Sequence, residues 1–277
     1  MPHSPTSFRF IAYRDFKRTL GKINATAECT ELAVRLLIDK ARISGNTTAY
    51  IQQISRAYDV RVDTIDLEGL PTQVGRFHIL SVHEHFESFL RAFRDEHPKA
   101  QWVWEKGDDD LRCVLKNIGG GYAASVAEIG KLEIALAEYY RHVRTRVAHE
   151  LDDKRIPMNV NELRSQVTQS AAYGRLAAPN EFDAIGFDDF ILFNRVVKKI
   201  ALELCRLARP MDGDIAGMLL DLHHRKHHGV DLKTLKSRAG EPDRLRNALG
   251  TLLRSVYSLD ERESKPIIEE VITGLLA

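Results

Sequence analysis

Apolar residues recur every three or four positions along most of this 277-residue chain, and this spacing restricts its fold more than any other feature. It is the period of an amphipathic α-helix, which buries one face and exposes the other. Alternation typical of a strand is confined to residues 60–67. The pattern predicts an all-α helical bundle. Helices are predicted over about residues 25–44, 47–58, 72–97 and 242–259, with Pro98 ending the third. One long helix is predicted from about residue 123 to residue 149, carrying the run Val126, Ile129, Leu132, Leu136, Tyr139, Val143 and Val147.

Prolines divide the predicted helices into three groups. Pro71 and Pro210 each interrupt the apolar spacing, because proline lacks the backbone N–H that continues a helix. We therefore predict an N-terminal helical unit over residues 1–70 and a helical bundle over residues 71–210. A C-terminal helical extension over residues 211–277 completes the predicted organisation.

Composition argues against several classes of protein. The 40 lysines and arginines are balanced by 39 acidic residues, so the chain has no overall basic field for coating DNA, and nucleic-acid binding would have to be local. Cys29, Cys113 and Cys205 form no C-x-x-C pair, which argues against a disulfide framework and a thiolate zinc site. No apolar run has the length of a membrane span, and the first residues lack the apolar core of a signal peptide. We expect a cytoplasmic protein that does not contact membranes.

The stretch from Arg144 to His149 is the clearest chemical motif. An imidazole can take a proton from a ribose 2′-hydroxyl while a guanidinium stabilises the charge that builds on phosphorus. Such a reaction needs no metal, gives a 2′,3′-cyclic phosphate and refuses DNA, which lacks the attacking hydroxyl. Residues five apart on a regular helix point about 140° away from each other. The helix must therefore unwind before His149, or two subunits must bring their motifs together.

Other side chains are candidates for supporting this pair. On a regular helix His142, Thr145, Arg146 and His149 share a face, and Glu87 on the upstream helix is placed to orient a cation. The alternative interpretation is purely structural, because cations at a helix C-terminus stabilise the helix through its dipole.

The segment from about Arg76 to Lys154 resembles the HEPN superfamily, whose members carry R-x(4–6)-H at the end of a long helix in a helical bundle. The motif, the amphipathic helix before it and an aromatic-rich helix around residues 85–90 carry the resemblance. It implies that Arg144 and His149 are the catalytic pair and that a homodimer forms one RNA-cleaving cleft. Thr145 departs from the Asn, Asp or His that many active members have at that position.

This resemblance implies a HEPN-like core with additional N- and C-terminal helices. It also implies a metal-independent endoribonuclease, acting on tRNA or other RNA in a toxin–antitoxin or anti-phage role, with an antitoxin or regulatory protein as a further partner and no cofactor. The alternative is a non-catalytic helical module that binds RNA or an acidic partner, which the departure at Thr145 favours.

A second histidine-rich stretch near residue 225 is a weaker candidate for metal binding. Its histidines have the i,i+4 spacing of two ligands on one helix, but the glutamate of an H-E-x-x-H site is absent. A basic last helical turn explains the pattern equally directly. The weak candidate ligands are His223, His224, His227 and His228.

Overall fold

The computed structural model describes residues 6–63, 66–98, 101–149, 158–224, 235 and 241–276. Across these ranges the chain is helical and contains no strand, which confirms the all-α class. None of the described helices is both long enough and apolar enough to cross a membrane. The helices are α1 (Ile11–Ile43), α2 (Thr47–Ala57), α3 (Leu70–Glu96), α4 (Asp110–Asn117), α5 (Tyr122–Ile129), α6 (Lys131–His149), α7 (Val160–Gln169), α8 (Phe187–Leu207), α9 (Asp212–His224), α10 (Pro242–Tyr257) and α11 (Glu261–Leu276), with a 3-10 turn at Phe182–Ala184.

The chain folds as two compact units, each assembled from separated segments. The first comprises residues 1–16, 87–129 and 199–277, and the second comprises residues 17–86 and 130–198. The predicted boundaries at residues 70 and 210 do not coincide with this division. Pro71 and Pro210 lie next to the ends of helices, whereas the division follows packing between segments that are distant in sequence.

In the first unit, the start of α1 is capped by a carboxylate from α3. The two Glu96 oxygens accept hydrogen bonds from the backbone N–H groups of Ile11 and Ala12, each at 2.8 Å. Phe10 packs edge-on against Phe93, with ring centres 4.8 Å apart. Helix α11 packs against both α9 and α10. Contacts that are remote in sequence therefore hold the first turn of α1.

In the second unit, α6 packs its apolar face inward and carries the Arg144 motif at its C-terminal end. Tyr139, Tyr140 and Val143 are fully buried. The ring of Tyr140 lies 4.8 Å from that of Phe193 on α8. Burial of these large side chains fixes the rotation of α6, and with it the direction in which each polar residue of the motif points.

The prediction of one continuous helix from residue 123 to residue 149 was wrong. The helix ends at Ile129 and begins again at Lys131, because Gly130 adopts a φ of +116° that breaks the helical path. A Cβ at this position would lie 2.1 Å from the Oε2 atom of Glu133. Glycine provides both the backbone conformation and the space that this break requires.

Candidate functional site

Helix α6 remains regular through His149, so one of the two geometric conditions for the predicted pair is not met. The helix does not unwind between Arg144 and His149, and the two side chains leave it about 140° apart. His149 is exposed at the last helical residue, while Arg144 is half-buried. A single copy of α6 therefore presents the two groups in different directions.

Arg144 is held by an acidic residue of α3. Its Nε atom lies 3.0 Å from the Oε1 atom of Glu84, and its Nη2 atom lies 2.5 Å from the same oxygen. The side chain of Arg144 is 24% exposed and that of Glu84 is 44% exposed, so the pair lies at the surface of the second unit. Glu84 therefore fixes the orientation of the guanidinium through its Nε and Nη2 atoms.

Arg146 stacks on an aromatic ring instead of joining Arg144. Its Cζ atom lies 3.8 Å from the ring centre of Phe182, and the Cζ atom of Arg76 lies 3.9 Å from the same centre. Two guanidinium groups at these distances cannot occupy one face of a ring, so they lie on opposite faces. Arg76 also donates to the Phe182 carbonyl at 3.0 Å and pairs with Asp183 at 2.9 Å. The ring therefore brings two cations together.

A buried carboxylate organises the loop that carries Phe182. The Oδ1 atom of Asp189 accepts hydrogen bonds from the Tyr140 hydroxyl at 3.0 Å and the Asn180 backbone N–H at 2.9 Å. Its Oδ2 atom accepts from the Asn180 amide at 2.7 Å and the Gly186 N–H at 2.9 Å. Burial raises the pKa of Asp189 above its ordinary value, and the hydrogen bonds oppose this shift without cancelling it. Asp189 thus anchors the loop at both ends.

Glu138, Arg141, His142 and Thr145 have partners on α6 itself. Glu138 pairs with Arg141 and lies 3.2 Å from the Nε2 atom of His142. The hydrogen bond from Arg141 lowers the pKa of Glu138, and burial opposes the shift. The Thr145 hydroxyl donates to the Arg141 carbonyl at 2.9 Å. Contacts within α6 therefore fix the side chains of Thr145 and His142.

The predicted supporting acid, Glu87, lies one turn beyond Glu84 on α3. Helix α3 also carries a candidate metal-binding group, since ligand atoms of His83, Glu84 and Glu87 lie within 4.8 Å of one another. Glu84 already pairs with the guanidinium of Arg144, whose positive charge opposes a metal cation at the same oxygen. The side chains of the four weak metal candidates near residue 225 lie outside the described residues.

Sequence reasoning did not single out Glu84 or Phe182 as parts of the site, and named Arg76 only as the start of the resembling segment. Glu84 has a local signal, because it is three residues before the predicted Glu87 and therefore close to it on one helical face. Phe182 and Arg76 have no such signal, since they are 106 residues apart and meet only in the folded chain. Comparison of the chain with family models, curated proteins and solved structures finds no match.

Proposed function

We propose that the end of α6 is half of the active site of a metal-independent endoribonuclease. The observation that carries the proposal is the orientation of Arg144 by Glu84 at the surface, with His149 exposed on the same helix. A guanidinium that is already oriented meets a phosphate with little loss of side-chain freedom. Because α6 is regular, Arg144 of one copy acts with His149 of a second copy.

In this reaction the imidazole of His149 takes the proton of a ribose 2′-hydroxyl, whose oxygen attacks the adjacent phosphorus. The bond from phosphorus to the 5′-oxygen breaks, and that oxygen leaves with a proton that the imidazolium of His149 returns through solvent water. The products are a 2′,3′-cyclic phosphate and a 5′-hydroxyl end. Arg144 stabilises the negative charge on the phosphate oxygens in the transition state. RNA, including tRNA, is the substrate class, in keeping with a toxin or anti-phage role and control by an antitoxin.

The test is cleavage of a labelled tRNA pool in excess EDTA by the wild-type chain and by Arg144→Ala and His149→Ala variants. We expect EDTA-resistant cleavage that leaves cyclic-phosphate ends and is lost in both variants. Arg141→Ala is the matched control, because it removes a cation of the same helix that pairs with Glu138. Cleavage that survives both substitutions, or no cleavage by the wild-type chain, contradicts the proposal.

Mixing the two inactive variants tests the role of the second copy. If each site takes Arg144 from one copy and His149 from the other, a dimer of one copy of each variant has one intact site and one site that lacks both groups. Random equimolar mixing makes half of all dimers of this kind. Equimolar mixing should therefore restore about a quarter of the wild-type activity. If both groups act within one copy, mixing restores none.

A second candidate is a module that binds RNA or an acidic partner without cutting it. The contacts within one copy favour it: Glu84 pairs with Arg144, Phe182 stacks on Arg146, and the Thr145 hydroxyl is bonded to the helix backbone. Such a module would retain RNA binding that Arg144→Ala weakens, with no cyclic-phosphate product. Growth arrest on expression that His149→Ala relieves supports the nuclease over the module.

A further inference from the structure

Helix α1 has a second apolar face that points to solvent. Leu32 is 69% exposed, Leu36 is 59% exposed and Ile43 is 80% exposed. Cys29 and Ala25 lie on the same side of the helix and are also exposed. We call Ala25, Cys29, Leu32, Leu36, Asp39 and Ile43 the α1 seam.

The opposite side of α1 is used by the core of the second unit. Ala27 and Ala41 are fully buried, and Val34 and Ile38 are 8% exposed. Val34, Ile38 and Ala41 pack in a cluster with Ile51 of α2. The α1 seam is therefore not needed to hold this helix against its own chain. A helix that is apolar on two sides has a surface available for a further partner.

The spacing of the α1 seam is that of a helix–helix interface. Its six positions follow one another at intervals of four, three, four, three and four residues. This is the repeat by which one helix packs its side chains between those of another. The seam extends about 27 Å along the helix at 1.5 Å per residue. A shallow groove of about 630 Å³, lined by Ala25, Thr26, Cys29, Thr30, Ala33, Val34 and Leu37, runs beside it.

We propose that the α1 seam pairs with the α1 seam of a second copy of this chain in antiparallel orientation. This register sets Leu32 against Leu36 of the second copy, Ala25 against its Ile43 and Cys29 against its Asp39. Each large side chain then meets an apolar partner, and each small residue of one helix faces a larger residue of the other.

The charges beside the seam favour antiparallel pairing over parallel pairing. In the antiparallel register Glu28 lies beside Arg42 of the second copy, so opposite charges meet at two places, while Arg35 lies beside Arg35 of the second copy, so like charges meet once. Arg42 pairs with Glu68 of its own chain at 2.9 Å. A parallel register would set Asp39 against Asp39 of the second copy and Arg35 beside its Lys40, so like charges would meet. Arg35 also pairs with Glu31 of its own helix at 2.7 Å. The seam thus favours one orientation by the positions of its own charges.

The first test is the oligomeric state of the full chain by sedimentation over a wide concentration range. We expect a monomer–dimer equilibrium in which a Leu32→Glu/Leu36→Glu double variant raises the dissociation constant at least about a hundredfold. Met211→Glu is the matched control, because Met211 is 79% exposed and is not part of the α1 seam. A wild-type chain that stays monomeric, or a dimer unaffected by the double variant, overturns the proposal and leaves the seam to another partner.

Orientation is tested by cysteine cross-linking. In the antiparallel register Asp39→Cys places each new thiol opposite Cys29 of the second copy, so mild oxidation should give a covalent dimer. The wild-type chain has Cys29 at the seam and should not cross-link, because two Cys29 residues meet only in the parallel register. Wild-type cross-linking, or none in the Asp39→Cys variant, overturns the antiparallel pairing. Neither measurement depends on RNA cleavage. A chain that stays monomeric would contradict both this interface and the two-copy nuclease, whereas a dimer that the Leu32→Glu/Leu36→Glu variant leaves intact would overturn the α1 seam alone.

Discussion

Replacing Asp189 by alanine should be among the most damaging single changes in the second unit. The carboxylate is fully buried and accepts four hydrogen bonds, from the Tyr140 hydroxyl, the Gly186 N–H and two donors of Asn180. Alanine leaves these donors buried without an acceptor, at a cost of about 1–3 kcal/mol each when no water replaces it. Some donors relax towards solvent, so we expect a loss of about 3–5 kcal/mol in the free energy of unfolding.

Urea denaturation, followed by circular dichroism, measures this loss. Asp188→Ala is the matched control on the same helix, because half-buried Asp188 accepts one hydrogen bond, from the Ala177 N–H at 2.8 Å. The control should lose about 1 kcal/mol or less. Amide exchange at Asn180 and Gly186 should also accelerate in the Asp189→Ala variant alone. Equal losses in the two variants would refute the anchoring role of Asp189.

Asp189 also gives unfolding a defined dependence on pH. Burial raises its pKa above the ordinary 3.8, so the folded chain binds its proton more tightly than the unfolded chain does. The resulting stability is fully present below the unfolded value and is lost as pH rises through the folded pKa. Asp189→Asn removes this titration. The stability of the wild-type chain relative to that variant should therefore fall as pH rises above the unfolded value of 3.8, and a rise would contradict the shift.

Two further substitutions and labelling experiments test particular contacts. Gly130→Ala should lower the free energy of unfolding by about 1–3 kcal/mol, more than Gly107→Ala does. Both glycines have a positive φ, but only Gly130 has the Glu133 carboxylate beside its Cα. Equal losses in urea denaturation would argue against that contact. Burial raises the pKa of Cys205 to about 12. At dilutions where the α1 seam is open, a thiol reagent should therefore modify exposed Cys29 in the folded chain and reach Cys205 only after unfolding. Early labelling of Cys205 would show that its surroundings open.

Local signals in the sequence predicted several helices closely. Asn46 accepts a hydrogen bond from the Ala49 N–H and begins α2, where the sequence placed a helix start at Thr47. Pro98 follows the end of α3, as expected of a residue that cannot continue a helix. Pro242 occupies the first residue of α10, the position that proline favours. Each of these signals acts within a few residues, so a single sequence contains it in full.

Helix α1 shows where local signals end. The sequence placed its start near Ala25, whereas the helix begins at Ile11. The first turn is stabilised by the carboxylate of Glu96, 85 residues away, and no neighbouring residue indicates that contact. The wrong prediction of a continuous helix through Gly130 has a related cause. A glycine inside a helical pattern is often tolerated, and only the folded chain shows that Gly130 takes a positive φ.

The sequence alone determined that this protein is helical, which faces of its helices are apolar, and that Arg144 and His149 lie at one helix end. Those features depend on residue spacing, which folding does not change. Only the tertiary structure decided that Glu84 orients Arg144, that Phe182 lies between Arg76 and Arg146, and that Asp189 anchors the loop carrying that ring. The contacts of Arg144 and of the Phe182 ring join residues dozens of positions apart, and Asp189 is linked to Tyr140, 49 positions away. Their geometry follows from how α3, α6 and α8 rotate as they bury their apolar faces, which no single stretch of sequence specifies.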